Sequence, residues 1–127
     1  LPVNNVEKSK KFFINIGFSF NEEYSNEHSA CMLVGEKNFV IMLFEENMFT
    51  DFSQNKLTDT KTSSEVLISI DAESKDEVDT LAKKVQEAGG NVFAAPSLNQ
   101  GWMYGCGFAD LDGHRWNSLF MDFSKLS

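Results

Sequence analysis

Apolar and polar positions change period several times along this chain, and each change marks an element. Leu1-Pro2-Val3 reads as the tail of a strand. Asn4 or Asn5 then suits a helix cap, Val6, Phe13 and Ile16 share one helical face beside Phe12, and Gly17 ends the run. Residues 18–24, 30–34 and 39–44 read as strands, with Glu36-Lys37-Asn38 at the tip of the hairpin between the last two. Residues 47–64 are polar apart from Met48, Phe49 and Phe52, which predicts a short helical turn and then a linker. In the strand that follows, Val66, Ile68 and Ile70 lie on one face and Glu65, Leu67 and Ser69 on the other. Ser74 with Glu77 makes a capping-box pattern, and Val78, Leu81, Ala82, Val85 and Ala88 form the stripe of a helix lying on a sheet. Residues 91–95 predict a strand stopped by Pro96, and residues 103–109 and 114–121 a hairpin around Asp110-Leu111-Asp112-Gly113.

Strand, helix and three strands therefore occur twice, an α+β architecture of two βαβββ modules with mostly antiparallel sheets. A faint repeat supports it. Slid back by 75 positions, Cys106 falls on Cys31, the turn 110–113 on Gly35-Glu36-Lys37-Asn38, and Asn117 on Met42. The chain divides into module one (1–46), a linker (47–64) and module two (65–127), all in one domain.

Composition narrows the function. An apolar share of 42% with 12 phenylalanines belongs to a globular chain, and no apolar run is long enough to span a membrane. No signal-peptide pattern is visible, and a cytoplasmic location is expected. The formal net charge is −8, and no Lys/Arg stripe offsets it, which argues against nucleic acid as a partner. The two cysteines lie far from any C-x-x-C spacing and are read as reduced, buried, small apolar residues at equivalent strand positions.

Several segments together resemble the vicinal oxygen chelate superfamily, which includes glyoxalase I, extradiol dioxygenases and bleomycin-resistance proteins. They are Leu1-Pro2-Val3 before a helix rich in Glu, Lys and Phe, then Gly17-Phe18, Ala88-Gly89-Gly90 and Asp110-Leu111-Asp112-Gly113-His114. The resemblance implies curved sheets around a cleft, often completed in a homodimer. Metal-dependent members place four ligands there, near the start of each module's first strand and on each module's last strand. Carried onto this chain, the last-strand positions are Met42 and Asn117, and the first-strand position of module two is Glu65. The fourth would lie about two residues before Leu1. A thioether and a neutral amide are poor replacements for carboxylates, so no metal site and no cofactor are expected. A divalent metal held with Glu65 remains the alternative. Leu111 also replaces the usual proline of the turn, which affects only turn rigidity.

Under that carry-over, Val40, Met42 and Phe44 line the cleft with Glu65, Leu67, Ser69, Asn117 and Leu119, as suits an organic ligand. Glu65 is the candidate catalytic group, a general base raised by apolar neighbours, or else a solvated strand-initial residue. His114 stands either at the cleft mouth or hydrogen-bonded to backbone, and His28 in an exposed loop. Trp102 and Tyr104 are either a stacking edge for a planar ligand or dimer packing. Arg115, on the face of Asn117, is a counterweight to a wall that otherwise favours cationic or neutral molecules. The first reading is metal-independent binding or sequestration of a small organic molecule by a homodimer. A metal-dependent lyase or dioxygenase of the glyoxalase type, and a dimeric protein without catalysis, are the alternatives.

Overall fold

The computed structural model describes residues 1–35 and 39–125, so the hairpin tip assigned to residues 36–38 lies outside the described residues. Module one runs β1 (Pro2–Val3), α1 (Val6–Asn15), β2 (Ser19–Asn21), β3 (Ser29–Leu33) and β4 (Val40–Glu45). After α2 (Glu46–Ser53), module two runs β5 (Leu67–Asp71), α3 (Lys75–Glu87), β6 (Asn91–Asn99), β7 (Met103–Ala109) and β8 (Arg115–Met121). The sheets have the orders β1-β4-β3-β2 and β5-β8-β7-β6. In each, the first strand pairs in parallel with the last, and the other pairs are antiparallel. The α+β reading and its mostly antiparallel sheets hold.

The caps form where the side chains allow them. Asn5 accepts from the Lys8 N–H at 2.9 Å, and Ser74 accepts from the Glu77 N–H at 3.1 Å while Glu77 returns to the Glu73 N–H. Other boundaries differ from the expectation. The strand proposed for residues 18–24 stops at Asn21, whose side chain accepts from the Glu23 N–H at 3.1 Å and starts a single 3-10 turn. The helical turn after β4 is a two-turn helix closed by Gln54 in the left-handed region. β5 begins at Leu67, not Glu65, so Glu65 and Val66 precede the ladder. Pro96 does not stop β6. It sits on an edge strand, inside the register shift between Ala94 and Ser97, where its missing N–H breaks no regular pairing.

The repeat also needs a correction. Cys31 pairs with Met42, but the partner of Asn117 is Gly107, one residue beyond the position that a slide of 75 demands. The two hairpins thus differ by one residue, and strand alternation turns the cysteines opposite ways. Both are buried and free, yet Cys106 faces α3 with Val78, whereas Cys31 alternates with the core residues Ala30 and Met32 and faces away from the helices.

One core joins the modules. Val6, Phe12 and Phe13 of α1, with Ile16 just after it, meet Val3, Ala30, Met32 and Leu43 of the first sheet and Val85, Phe108 and Trp116 of the second module. Trp116, fully buried, lies 5.4 Å from the Phe13 ring, 5.7 Å from Phe18 and 6.0 Å from Phe108 in a stacked arrangement. Such pairs add about 0.5–1.5 kcal/mol each beyond area burial. The helix-covered faces of both sheets are consumed here, so their other faces point away.

The turn 110–113 closes the seam with polar contacts. Asp110 accepts from the Trp116 indole N–H at 3.1 Å and from the backbone N–H groups of Asp112 and His114 at 3.0 Å each. The buried His114 ring bonds to the Pro2 carbonyl through Nε2 at 2.6 Å, which places it in the module seam and not at a cleft mouth. Asp112 accepts from the Asn4 N–H at 2.8 Å and the Ser9 hydroxyl at 3.1 Å, while its own carbonyl accepts from Thr60. Gly113 has φ +88°, and a Cβ there would stand 2.7 Å from the Thr60 carbonyl oxygen. The turn thus holds α1, β1 and the linker together, a larger role than the rigidity read from Leu111 alone.

Burial raises the Asp110 carboxyl above its ordinary range, against the opposing pull of His114, the Trp116 indole and the two backbone donors. The folded chain therefore binds more protons than the unfolded chain from pH 3.8 up to the raised value, and this contribution to stability falls as pH rises through that window. Asp110→Asn should abolish that slope, read as the difference between the variant's and the wild type's urea unfolding free energies across the window. Asp110→Ala, which strands an indole and two backbone donors, should lower stability by about 3 kcal/mol. An unchanged midpoint would show that the turn does not clamp the seam.

Candidate functional site

The faces turned away from the helices carry most of the cleft candidates. On the second sheet, strand alternation puts Arg115, Asn117 and Leu119 opposite the buried Trp116 and Ser118. The parallel ladder sets Ser69 beside Asn117, Leu67 beside Arg115 and Asp71 beside Leu119. On the first sheet, Val40, Met42 and Phe44 alternate with Ile41 and the buried Leu43, and Cys31 sits across from Met42. Phe44 is tilted against Phe52 of α2, with ring centroids 5.3 Å apart.

Module two's face is shaped by glycine. A Cβ on Gly107 would meet the Phe93 ring at 2.6 Å, so the absence of a side chain there lets the ring lie close on β7. The Arg115 guanidinium stacks on the same ring, 4.4 Å from its centroid. Next to this stack is Asn117, the strand partner of Gly107. Its Oδ1 is buried and, among the described residues, has no hydrogen-bond partner. A buried acceptor without a donor is costly, by about 1–3 kcal/mol, and such atoms in folded chains call for a partner.

Other candidates lie elsewhere. Glu65 is exposed and outside the ladder, so the structure does not bring it beside Asn117. Tyr104 is on the helical face, packed on the cluster of Ala72, Val78, Ala82 and Cys106, and donates to Asp79 at 2.6 Å. Trp102 stands at the far end of the β7–β8 hairpin, 6.0 Å from the Phe123 ring. Neither forms part of the face of Asn117. His28 is in the loop before β3, as read, bonded to Glu45 at 2.9 Å, and that carboxylate raises the imidazole above its ordinary value. Phe93 and Gly107 were not among the sequence candidates. The alternating glycines of β7 were the available signal, but nothing in the sequence says which aromatic ring fills the space they leave.

The two grooves of one chain do not enclose this face. One, of about 500 Å³, lies between the α1 N-terminus, the linker and the turn at Asp112. The other, of about 1210 Å³, runs between β2, β5 and α3 and includes Ser69. Neither contains Met42 or Asn117.

Solved structures of this shape are known. The chain is 37% identical to hypothetical protein SA1046 from S. aureus, with 94% of this chain and 88% of that one covered at a TM-score of 0.83. A glyoxalase/bleomycin resistance protein/dioxygenase family enzyme from Burkholderia phytofirmans PsJN matches at 15% identity, 95% and 94% coverage and a TM-score of 0.80. A glyoxalase-related enzyme from Fulvimarina pelagi matches at 16% identity, 94% and 84% coverage and a TM-score of 0.77. The chain therefore shares its fold with glyoxalase/bleomycin resistance/dioxygenase proteins. It belongs to the same family as the S. aureus protein, which it matches along nearly the whole length. No protein-family model and no curated protein matches the chain.

The superfamily's metal enzymes raise the question of whether a divalent ion fits here. Beside the Asn117 amide the ladder offers a serine hydroxyl, Met42 offers a thioether on the other sheet, and Glu65 stands apart. Among the described residues no three of His, Cys, Asp and Glu gather as a metal cluster. This donor set does not suit a hard or borderline ion. Also among the described residues, no helix is long and apolar enough to cross a membrane.

Proposed function

We infer that the protein binds a small organic molecule without a metal, on the face that carries Met42 and Phe44 in one module and Ser69, Asn117 and Leu119 in the other. One observation carries this reading: Asn117 Oδ1 is a buried acceptor that has no donor among the described residues. A ligand hydroxyl or amide N–H that displaces the side chains covering this atom would supply the partner it lacks. The vicinal oxygen chelate fold is compatible with it, since one fold hosts many chemistries and the site decides among them.

A second copy of the chain completes the pocket. Val40, Leu67 and Phe93 are 45%, 55% and 44% exposed on faces that the chain's own core cannot cover. A homodimer would bury them, and an isologous pairing would set module one of one copy over module two of the other. Sedimentation at micromolar concentration should give twice the 14.3 kDa chain mass. A monomer at that concentration would remove the enclosing wall and sink the dimeric form of this reading.

Metal independence is checked separately. Elemental analysis after dialysis against zinc, nickel or manganese should find well under one ion per chain. About one ion per chain, lost on Glu65→Ala, would favour the metal-dependent lyase or dioxygenase instead.

Ligand binding is tested by following amide NMR shifts while phenol and acetanilide, both hydrogen-bond donors, and toluene, which donates none, are added. The donors should shift the resonances of β5, β7 and β8, and Asn117→Leu should remove their advantage over toluene, about tenfold in affinity for a bond of about 1.4 kcal/mol. Equal responses to donors and toluene would mean that Oδ1 is not the anchor.

A further inference from the structure

We propose that Arg115, held on Phe93, makes this pocket select a singly charged aromatic carboxylate that also carries a hydrogen-bond donor. The inference deepens the binding reading above and rests on it.

The guanidinium is fixed in place but uncommitted. Its one described partner is the Phe93 ring at 4.4 Å, and among the described residues no carboxylate comes within ion-pair distance of it. Phe93 is itself positioned by the missing side chain of Gly107. A contact with the ring face commits no guanidinium N–H to any carboxylate, and a guanidinium can bind a carboxylate by two parallel hydrogen bonds. The expected cationic or neutral preference depended on Glu65 in the same wall. Glu65 precedes the ladder, and the strand position beside Arg115 belongs to Leu67. The charge at the Arg115 end of this face is therefore positive, and Asp71, the carboxylate of the same face, stands at the other end of the ladder beside Leu119.

Arg115 and Asn117 then act as a pair. Two residues apart on one face of β8, they are separated by about 6–7 Å along the strand. One offers a cationic donor edge and the other an acceptor in want of a donor. A flat molecule with a carboxylate at one end and a hydroxyl at the other answers both, and its ring lies over Leu67 and Ser69 on the neighbouring strand. The net charge of −8 limits the anion. A dianion such as a phosphate monoester meets roughly twice the repulsion of a monoanion, although salt screens it beyond about 8 Å. A monocarboxylate gains the fork at the lower penalty.

The test compares three probes of one shape, para-hydroxybenzoate, para-hydroxybenzamide and para-hydroxybenzamidine, by calorimetry and amide NMR shifts. The benzoate should bind about tenfold tighter than the amide, the difference made by a charge-assisted bond, and the amidine should be weakest. Arg115→Ala should bring benzoate and amide to equal affinity, and Arg115→Lys should restore only part of the gap. If Arg115→Ala fails to fold, Phe93→Leu must show the same loss, since it removes the surface that positions the guanidinium. If the amide or amidine binds as tightly as the benzoate while shifting Asn117, the charge selection is wrong and the binding reading stands. If no probe shifts this face, both are wrong.

Discussion

A buried carboxylate at the turn between β7 and β8 holds two modules that share no strand. Asp110 takes the indole N–H of Trp116, and Trp116 is the ring against which Phe13 and Phe18 of module one pack. His114 reaches the Pro2 carbonyl, and Asp112 reaches Asn4 and Ser9. An acid buried this deeply is expensive unless every lone pair is used, and the three donors converging on Asp110 reduce that expense without abolishing it. The seam is thereby directional. Aromatic packing alone would let the modules slide, whereas hydrogen bonds to named backbone atoms admit one docking.

That docking decides where function can reside. Because α1 and α3 feed one core, the helix-covered faces of both sheets are largely occupied, and the opposite faces carry most of the cleft candidates. These faces bear apolar residues with few polar groups among them, the composition of a pocket wall. The two grooves described above include neither Met42 nor Asn117. The fold shared with glyoxalase/bleomycin resistance/dioxygenase proteins provides the scaffold, and the chemistry at this face differs from a carboxylate-and-histidine metal centre. It offers an amide acceptor, a hydroxyl and a guanidinium stacked on a ring.

The charge character of the site shows how much depends on where a strand begins and on hairpin length. Starting β5 at Leu67 removes Glu65 from the wall and leaves Arg115 beside an aliphatic neighbour. Side chains alternate with period two, so one residue of hairpin length also exchanges the faces of the two cysteines. Tyr104 followed the same rule to the helical side, where Asp79 receives its hydroxyl.

The order of elements, the helix caps at Asn5 and Ser74, the faces of β4 and β8 and the turn at 110–113 were legible in the sequence, because each rests on local spacing. The face that Asn117 takes was legible for the same reason: its distance from the turn is set along one strand. Contacts between strands were not legible. The pairing of Asn117 with Ser69 and Gly107, the ring of Phe93 in the space above Gly107 and the stacking of Arg115 on it depend on register and on which strands become neighbours. The passage of β6 through Pro96 depended likewise on its place at a sheet edge. Local periodicity determines which face a side chain takes, but only the assembled sheet determines what it meets there, since those neighbours lie tens of residues away along the chain.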